Sequence, residues 1–417
     1  MKAFTPTDPG YDEARTGYQR FTKHEPALIV AATSAQDVVD AVARGERVAV
    51  QSSGHGLTTP LKGGVLITTR GLAGVRVNPD AQTAYIEAGA SWQQVIDAAA
   101  PHGLAPLSGS APGVGAVSYT LGGGVGLMAR RYGFAADHVR RIDVVTADGQ
   151  LRTVTDGPLF WALRGGGGNF GVVVGLEIAL IPISHVYGGS LYHDLDVVPD
   201  LLDQWLAWTR DVPEEVTSAV SLLPIPDRRV AQVQIVSLIE GLRPDFGPVF
   251  KDTLRVLPYT ESATVFDEPD RPHAYRSTNL LVSEVPTASL LEAPAVVNVR
   301  HLGGALAKPA DNAVGGRQAA YSVNVLSAVD DLDEVLAVQR AAVAPLIQYK
   351  VGRSLNFSYG PLTEDEVAEA FEPADYVRLR KLKTDYDANV RFHANHPISR
   401  SDKDFRAGSK QPSLSGH

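Results

Sequence analysis

Three glycine-dense loops, at residues 52–56, at 108–115 together with Gly122-Gly123-Gly124, and at 165–171, set the terms for this chain. Glycine lets backbone approach a neighbour closely, and successive bare N–H groups in a turn form a concavity that holds an anion. A single loop of this kind is a turn by default. Three of them in a protein of net charge −9 point to one large anionic ligand held by backbone rather than by lysines. Close packing of strands and turns explains the same glycines without any ligand, so both readings stand at this level.

Around the loops, short strands alternate with helices. Residues 27–33 (ALIVAAT) read as a strand, and 34–45 as a helix with Ser34 as its N-cap. RVAVQ (47–51), GGVLITT (63–69) and TAYIEAG (83–89) are β-rich and bounded by turn residues. SWQQVIDAAAPHG (91–103) is a second helix, closed by Pro101 and Gly103. Residues 140–155 read as a hairpin turning at Asp148-Gly149. A short helix, a glycine loop and a long apolar strand follow, through about residue 183. Beyond it the texture changes to the polar–apolar alternation of half-buried antiparallel strands, with amphipathic helices at 201–211 and 331–347. A length of 417 residues also favours two domains.

Several function classes are excluded. The chain has no cysteine, so it has no disulfide, thiolate nucleophile or thiolate-held metal. No basic stripe suits nucleic acid, no apolar run is long enough to span a bilayer, and the first residues do not resemble a secretory signal. A cytoplasmic location is the expectation. Residues 166–171 match G-x-G-x-x-G, but they follow a helix and precede a strand, the inverse of the dinucleotide-binding context. Neither a P-loop nor G-x-S-x-G is present. His393 and His396 have no carboxylate pattern to complete a metal site, so no metal is expected.

The motifs occur in an order that resembles a known family. Ser53-Gly54-His55-Gly56 is followed by Gly109-Ser110-Ala111-Pro112-Gly113-Val114-Gly115, then by Leu121-Gly122-Gly123-Gly124-Val125-Gly126, then by Arg131-Tyr132-Gly133 and Asp137. Later come LFWALRGGGGNFGVV, VRHLGGA (299–305) and YVRLRKLKTDYDANVRF (376–392). Together they resemble the FAD-linked oxidases of the berberine-bridge-enzyme-like group, in the vanillyl-alcohol-oxidase/p-cresol-methylhydroxylase flavoprotein superfamily.

The resemblance implies an α+β, two-domain PCMH-type FAD-binding fold with an inserted substrate domain of antiparallel sheet covered by helices. The expected bounds are 1–183 for an FAD domain of two subdomains, 184–354 for the substrate domain, 355–400 for a segment returning to the flavin, and 401–417 for a mobile tail. It implies FAD bonded through an 8α linkage to His55, whose neutral imidazole is a competent nucleophile. The implied cofactor contacts are Ser52, Ser53, Gly54, His55, Gly56, Gly109, Ser110, Gly113, Gly115 and Tyr119, then Gly122, Gly123, Gly124, Gly168, Asn169, Gly171, Val173 and Asn389. The implied reaction moves a hydride from a small organic or natural-product substrate (an alcohol, an amine or a ring C–H) to flavin, with dioxygen as acceptor. An oxygenating or cyclising tailoring enzyme of secondary metabolism is the alternative, and a non-catalytic binding module on the same fold is a third reading.

Departures from the family pattern sharpen these expectations. Ala111 stands where many members carry a second, cysteinyl link, so attachment is single at most. Gln51, Ser53 and Ala388 replace a usual arginine, glycine and proline. Several bacterial members place a basic tyrosine where this chain has Phe357, and Val125 replaces another tyrosine. In SLNFSYGP, read as a strand, Tyr359 has the same parity as Phe357 and is the candidate base. Arg300 and His301 are expected either to line the substrate cavity or to be exposed. The sequence does not fix an oligomeric state.

Overall fold

The computed structural model describes residues 2–225 and 228–401. The expected tail therefore lies, Ser401 aside, outside the described residues. Helices and strands mix as the α+β class requires, in three sheets.

The first sheet has the order Lys2–Phe4, Leu28–Ala31, Val65–Thr68, Val48–Gln51, and its last three strands are parallel. Its crossover helix, Ala35–Ala43, starts where the Ser34 side chain accepts from Asp37 N, satisfying an otherwise orphaned amide. Val38, Ala41 and Val42 recur at helical spacing and bury one face against Val30, Val65 and Ile67. The same cluster takes in Val145, Val172 and Val174 from the second sheet, so one apolar layer joins the two. Burying each valine there stabilises by about 1.5–3 kcal/mol. The second sheet is antiparallel throughout, in the order Val75–Asn78, Thr83–Glu87, Val172–Ala179, Val139–Val145, Leu151–Val154. Its hairpin turns at Asp148-Gly149, where Gly149 adopts φ 76°.

The third sheet has nine antiparallel strands, all from residues 185–352. Strict alternation gives it two unlike faces. Leu191, Val220, Val233, Val297, Val299, Val323 and Val325 point into an apolar core closed by helix Leu201–Thr209, with Trp205 fully buried, and by helix Leu332–Val343. The opposite face carries a polar row. Gln232 pairs with Ser221, Ser221 with Asn298, Asn298 with Asn324, and Asn324 with Asn279.

After the sheet, helix Pro373–Tyr386 buries Leu379 and Leu382 in the core of the second sheet. The chain then runs beside the first sheet, where Val48 N donates to Arg391 O and His393 N to Val48 O. One expectation is corrected here. Residues 355–357 are a single 3₁₀ turn, not a strand. Phe357 N bonds back to Ser354 O, and the Asn356 side chain turns away to donate to Tyr119 O at 2.9 Å. Strand parity therefore says nothing about where Tyr359 points.

Candidate functional site

The strand Val48–Gln51 delivers the chain directly into the His55 loop. Gly54 adopts φ +75°, and a Cβ there would lie 2.6 Å from Gly17 Cα, so only glycine fits. Residues 17–19 run along this loop, with Tyr18 N donating to Ser53 O and Gln19 N to Gly54 O. The half-buried His55 ring has Nδ1 2.8 Å from Ser53 Oγ, and that hydroxyl also accepts from Gly115 N at 3.2 Å. A Cβ on Gly113 would lie 3.9 Å from His55 Cε1, so the first and second glycine loops meet at the imidazole. Tyr18 stacks on the ring, and the Tyr275 hydroxyl donates to His55 O at 2.6 Å. Burial, aided by the nearby His273, lowers the His55 pKa to about 4. The imidazole is therefore neutral at ordinary pH and keeps a lone pair for nucleophilic or hydrogen-bonding work.

The second loop wraps Tyr119. A Cβ on Gly109 would come within 3.0 Å of its ring and one on Gly124, at φ +78°, within 2.4 Å. Gly122 is pressed against Asn356 in the same way, and Gly123 adopts φ +102°. Tyr119 meets Trp92 edge to face, yet its hydroxyl is buried with no hydrogen-bond partner among the described residues. An orphaned buried hydroxyl costs about 1–3 kcal/mol. A polar group brought within reach of the hydroxyl would offset that cost.

The third loop is open at Gly168, where a Cβ would meet nothing within 4 Å. Its neighbours face protein instead. Asn169 Nδ2 donates to Gly166 O and His396 O, while its Oδ1 accepts from Ile398 N. Gly171 lies against Val144 and Val145, Val173 is buried in the core, and Asn389 is exposed in the turn after the last helix. The segment 392–398 links the first loop to the third. Asn395 accepts from Thr58 N and from the Thr58 and Thr59 hydroxyls, three residues before Ile398 bonds to Asn169.

Opposite the loops stands the polar face of the third sheet. Arg300 Nε donates to Asn298 Oδ1 at 2.8 Å and its Nη2 to Ser110 Oγ at 3.0 Å, joining the sheet to the second loop. Asn324, its amide turned to donate, reaches Phe357 O at 2.9 Å. A cavity between sheet and loop is lined by Val125, Ala219, Val236, Phe266, Arg300 and His301, so both residues expected either there or at the surface line it. His301 is buried, and its ring stacks on Tyr321. Burial and Arg130 drop its pKa to about 3. Tyr359 meets Tyr275 edge to face at 5.1 Å, and burial raises its phenol well above the usual range. At ordinary pH it is a neutral phenol, which donates a hydrogen bond more readily than it takes a proton.

The residues that motif reading missed are Tyr18, Tyr275 and Glu268. None sits in a glycine motif; Tyr18 arrives from the N-terminal segment, and Tyr275 and Glu268, the latter 3.7 Å from Arg300, from the segment 268–275.

A family model described as an FAD binding domain matches residues 26–155. The chain carries this FAD binding domain and is similar to FAD-linked oxidoreductases. It is 30% identical to the FAD-linked oxidoreductase YgaK of Bacillus subtilis (strain 168) over 64% of its own length, and the match spans 63% of that protein. It is 27% identical to (R)-6-hydroxynicotine oxidase of Paenarthrobacter nicotinovorans, covering 94% of this chain and 95% of that one. The fold is similar to that of 6-hydroxy-D-nicotine oxidase from Arthrobacter nicotinovorans (TM-score 0.82, 23% identity, 95% and 97% of the two chains). It is equally similar to the berberine-bridge-enzyme-like protein 1 of Physcomitrella patens (TM-score 0.83, 19% identity, 96% and 97%). Both are of the PCMH-type architecture expected from the motifs. No helix of the described residues is long and apolar enough to cross a membrane.

Proposed function

We propose that this protein is an FAD-linked oxidase that carries FAD on His55 by a single covalent bond. The observation that carries this reading is the convergence of two glycine loops on a neutral, Ser53-held imidazole. The orphaned Tyr119 hydroxyl and the open Gly168 backbone fit a large polar ligand there. The backbone of residues 52–56, 109–115 and 122–124 would hold the cofactor, and the absence of cysteine limits attachment to the histidine. Bound FAD would supply the two-electron acceptor, passing electrons on to dioxygen.

The chain's own residues set the remaining steps. Ser53 and Tyr18 orient the His55 ring. The polar sheet face and the apolar cavity wall between them receive a small organic substrate, an alcohol, an amine or a ring C–H compound. The phenol of Tyr359, raised by burial, keeps its proton and acts as a donor to substrate oxygen or nitrogen rather than as the base. The test is a visible spectrum of the purified protein followed by anaerobic photoreduction and admission of air. The reading expects a flavin band that bleaches and then returns within the mixing time of air. A colourless protein, or a reduced flavin indifferent to air, contradicts it.

A further inference from the structure

Arg300 is a cation with an incomplete set of partners. Its side chain is only 13% exposed, and among the described residues the one carboxylate within 4 Å is Glu268 at 3.7 Å, itself 39% exposed. That spacing is beyond hydrogen-bond reach, so Glu268 offsets the charge without bonding to it. The hydrogen bonds Arg300 does make, to Asn298 and Ser110, go to neutral oxygens. A buried charge is ordinarily paired and hydrogen-bonded, because desolvating it alone costs several kcal/mol. The guanidinium also lies over two phenyl rings, Phe266 at 4.5 Å and Phe357 at 5.0 Å, which fix it in place. It lines the apolar cavity beside the second glycine loop.

We infer that Arg300 is the anion-binding group of the substrate site, and that the substrate is a small organic acid whose carboxylate pairs with this guanidinium while its apolar body lies against the wall formed by Val125, Ala219, Val236 and Phe266. This rests on the oxidoreductase reading for the identity of the pocket. The planar fork of arginine matches a carboxylate through two parallel N–H···O bonds, a geometry that lysine lacks. Glu268 is the resident counter-charge that an incoming carboxylate replaces, so it competes with the ligand. Phe357, where a titrating tyrosine is expected from the family pattern, serves here as a wall for the guanidinium.

The experiment titrates the holoprotein with acetate, butyrate and benzoate, each against its own amide, following the flavin absorbance. At least one acid is expected to perturb the spectrum saturably and to bind about tenfold or more tighter than its amide. Arg300→Met should remove that preference, Arg300→Lys should keep part of it, and Glu268→Gln should tighten acid binding several-fold. Thermal unfolding of each variant shows that the fold is retained, and Arg300→Lys keeps the test valid if Arg300→Met does not fold. Equal binding of acid and amide, an unchanged preference in Arg300→Met, or weaker acid binding in Glu268→Gln each overturns the assignment. So does an Arg300→Met variant whose flavin spectrum shifts while its acid affinity does not, since Arg300 would then serve the cofactor. A preparation without flavin absorbance defeats the oxidoreductase reading instead, and calorimetric titration with the same acid–amide pairs then decides the Arg300 assignment alone.

Discussion

Tyr18 lies flat on His55, with ring centroids 3.9 Å apart and 14° between the planes. The tyrosine is itself fixed, its amide donating to Ser53 O and its hydroxyl to Pro269 O. The stack holds the imidazole in one orientation and keeps water off one face. An aromatic pair of this kind contributes about 0.5–1.5 kcal/mol beyond its buried area. Tyr18→Ala is therefore expected to slow covalent flavin attachment by roughly two- to tenfold, while Tyr18→Phe, which keeps the ring, stays near the parent rate. The fraction of flavin resistant to acid precipitation, followed over time after adding FAD to apoprotein, measures this. Equal rates for all three proteins would remove Tyr18 from the account.

Tyr119 makes a prediction of opposite sign with and without cofactor. Its hydroxyl is buried and has no partner among the described residues, so Tyr119→Phe should leave the FAD-free protein as stable as before, or more stable by about 1–2 kcal/mol. If that hydroxyl serves FAD, the same change should weaken FAD binding about five- to tenfold, the worth of one hydrogen bond. A His55→Ala background, in which FAD exchanges freely, allows both to be read by urea denaturation with and without FAD. A variant destabilised without FAD would mean that the hydroxyl has a protein partner.

Much of the architecture is local in origin and was open to reading from the chain. Ser34 caps its helix and Asp148-Gly149 turns its hairpin because those residue types act on their own neighbours. The two faces of the third sheet follow from alternation, which sends Val233 into the core and Asn298 and Asn324 toward the loops. The turn at 355–357 is not legible locally because tertiary hydrogen bonds support its one local bond, from Phe357 N to Ser354 O. Ser354 N bonds to the Asn279 side chain and Asn356 to Tyr119 O, and these outcompete a strand ladder. Tyr18 and Tyr275 carry no motif, and their place at His55 depends on packing 37 and 220 residues away along the chain.

The segment that joins the loops is anchored by a fully buried ion pair. Lys383, 1% exposed, bonds to Asp387, 0% exposed, at 2.6 Å and to Asn169 O at 2.7 Å. Asp387 also accepts from Arg391 N and Phe392 N. Asp387→Ala strands a buried ammonium and frees two amides, so a loss of about 3–5 kcal/mol is expected in urea denaturation. Lys383→Met with Asp387→Leu in one chain should cost less than the single change, because no uncompensated charge remains. A single change that is neutral would contradict the anchor.

Acid should destabilise the protein through buried histidines. Burial, with a contribution from His393, lowers His24 to about 4, and burial lowers His396 to about 4. The unfolded chain takes up protons on both below pH 6.5, whereas the folded protein does so only near pH 4. Stability is thus complete above about pH 6.5 and falls as pH drops toward 4, by at most about 3 kcal/mol for each histidine. His24→Gln, which keeps an acceptor for Leu61 N, should flatten that slope in unfolding measured between pH 7 and 4.5. An unchanged slope would place the acid sensitivity elsewhere.

The central claim is the bond at His55. Purified protein, denatured in acid and run on a denaturing gel, should show flavin fluorescence at the position of the chain. The same treatment of His55→Ala should leave the band dark while FAD appears in the acid supernatant. A dark parent band, or a fluorescent band in His55→Ala, would contradict the account.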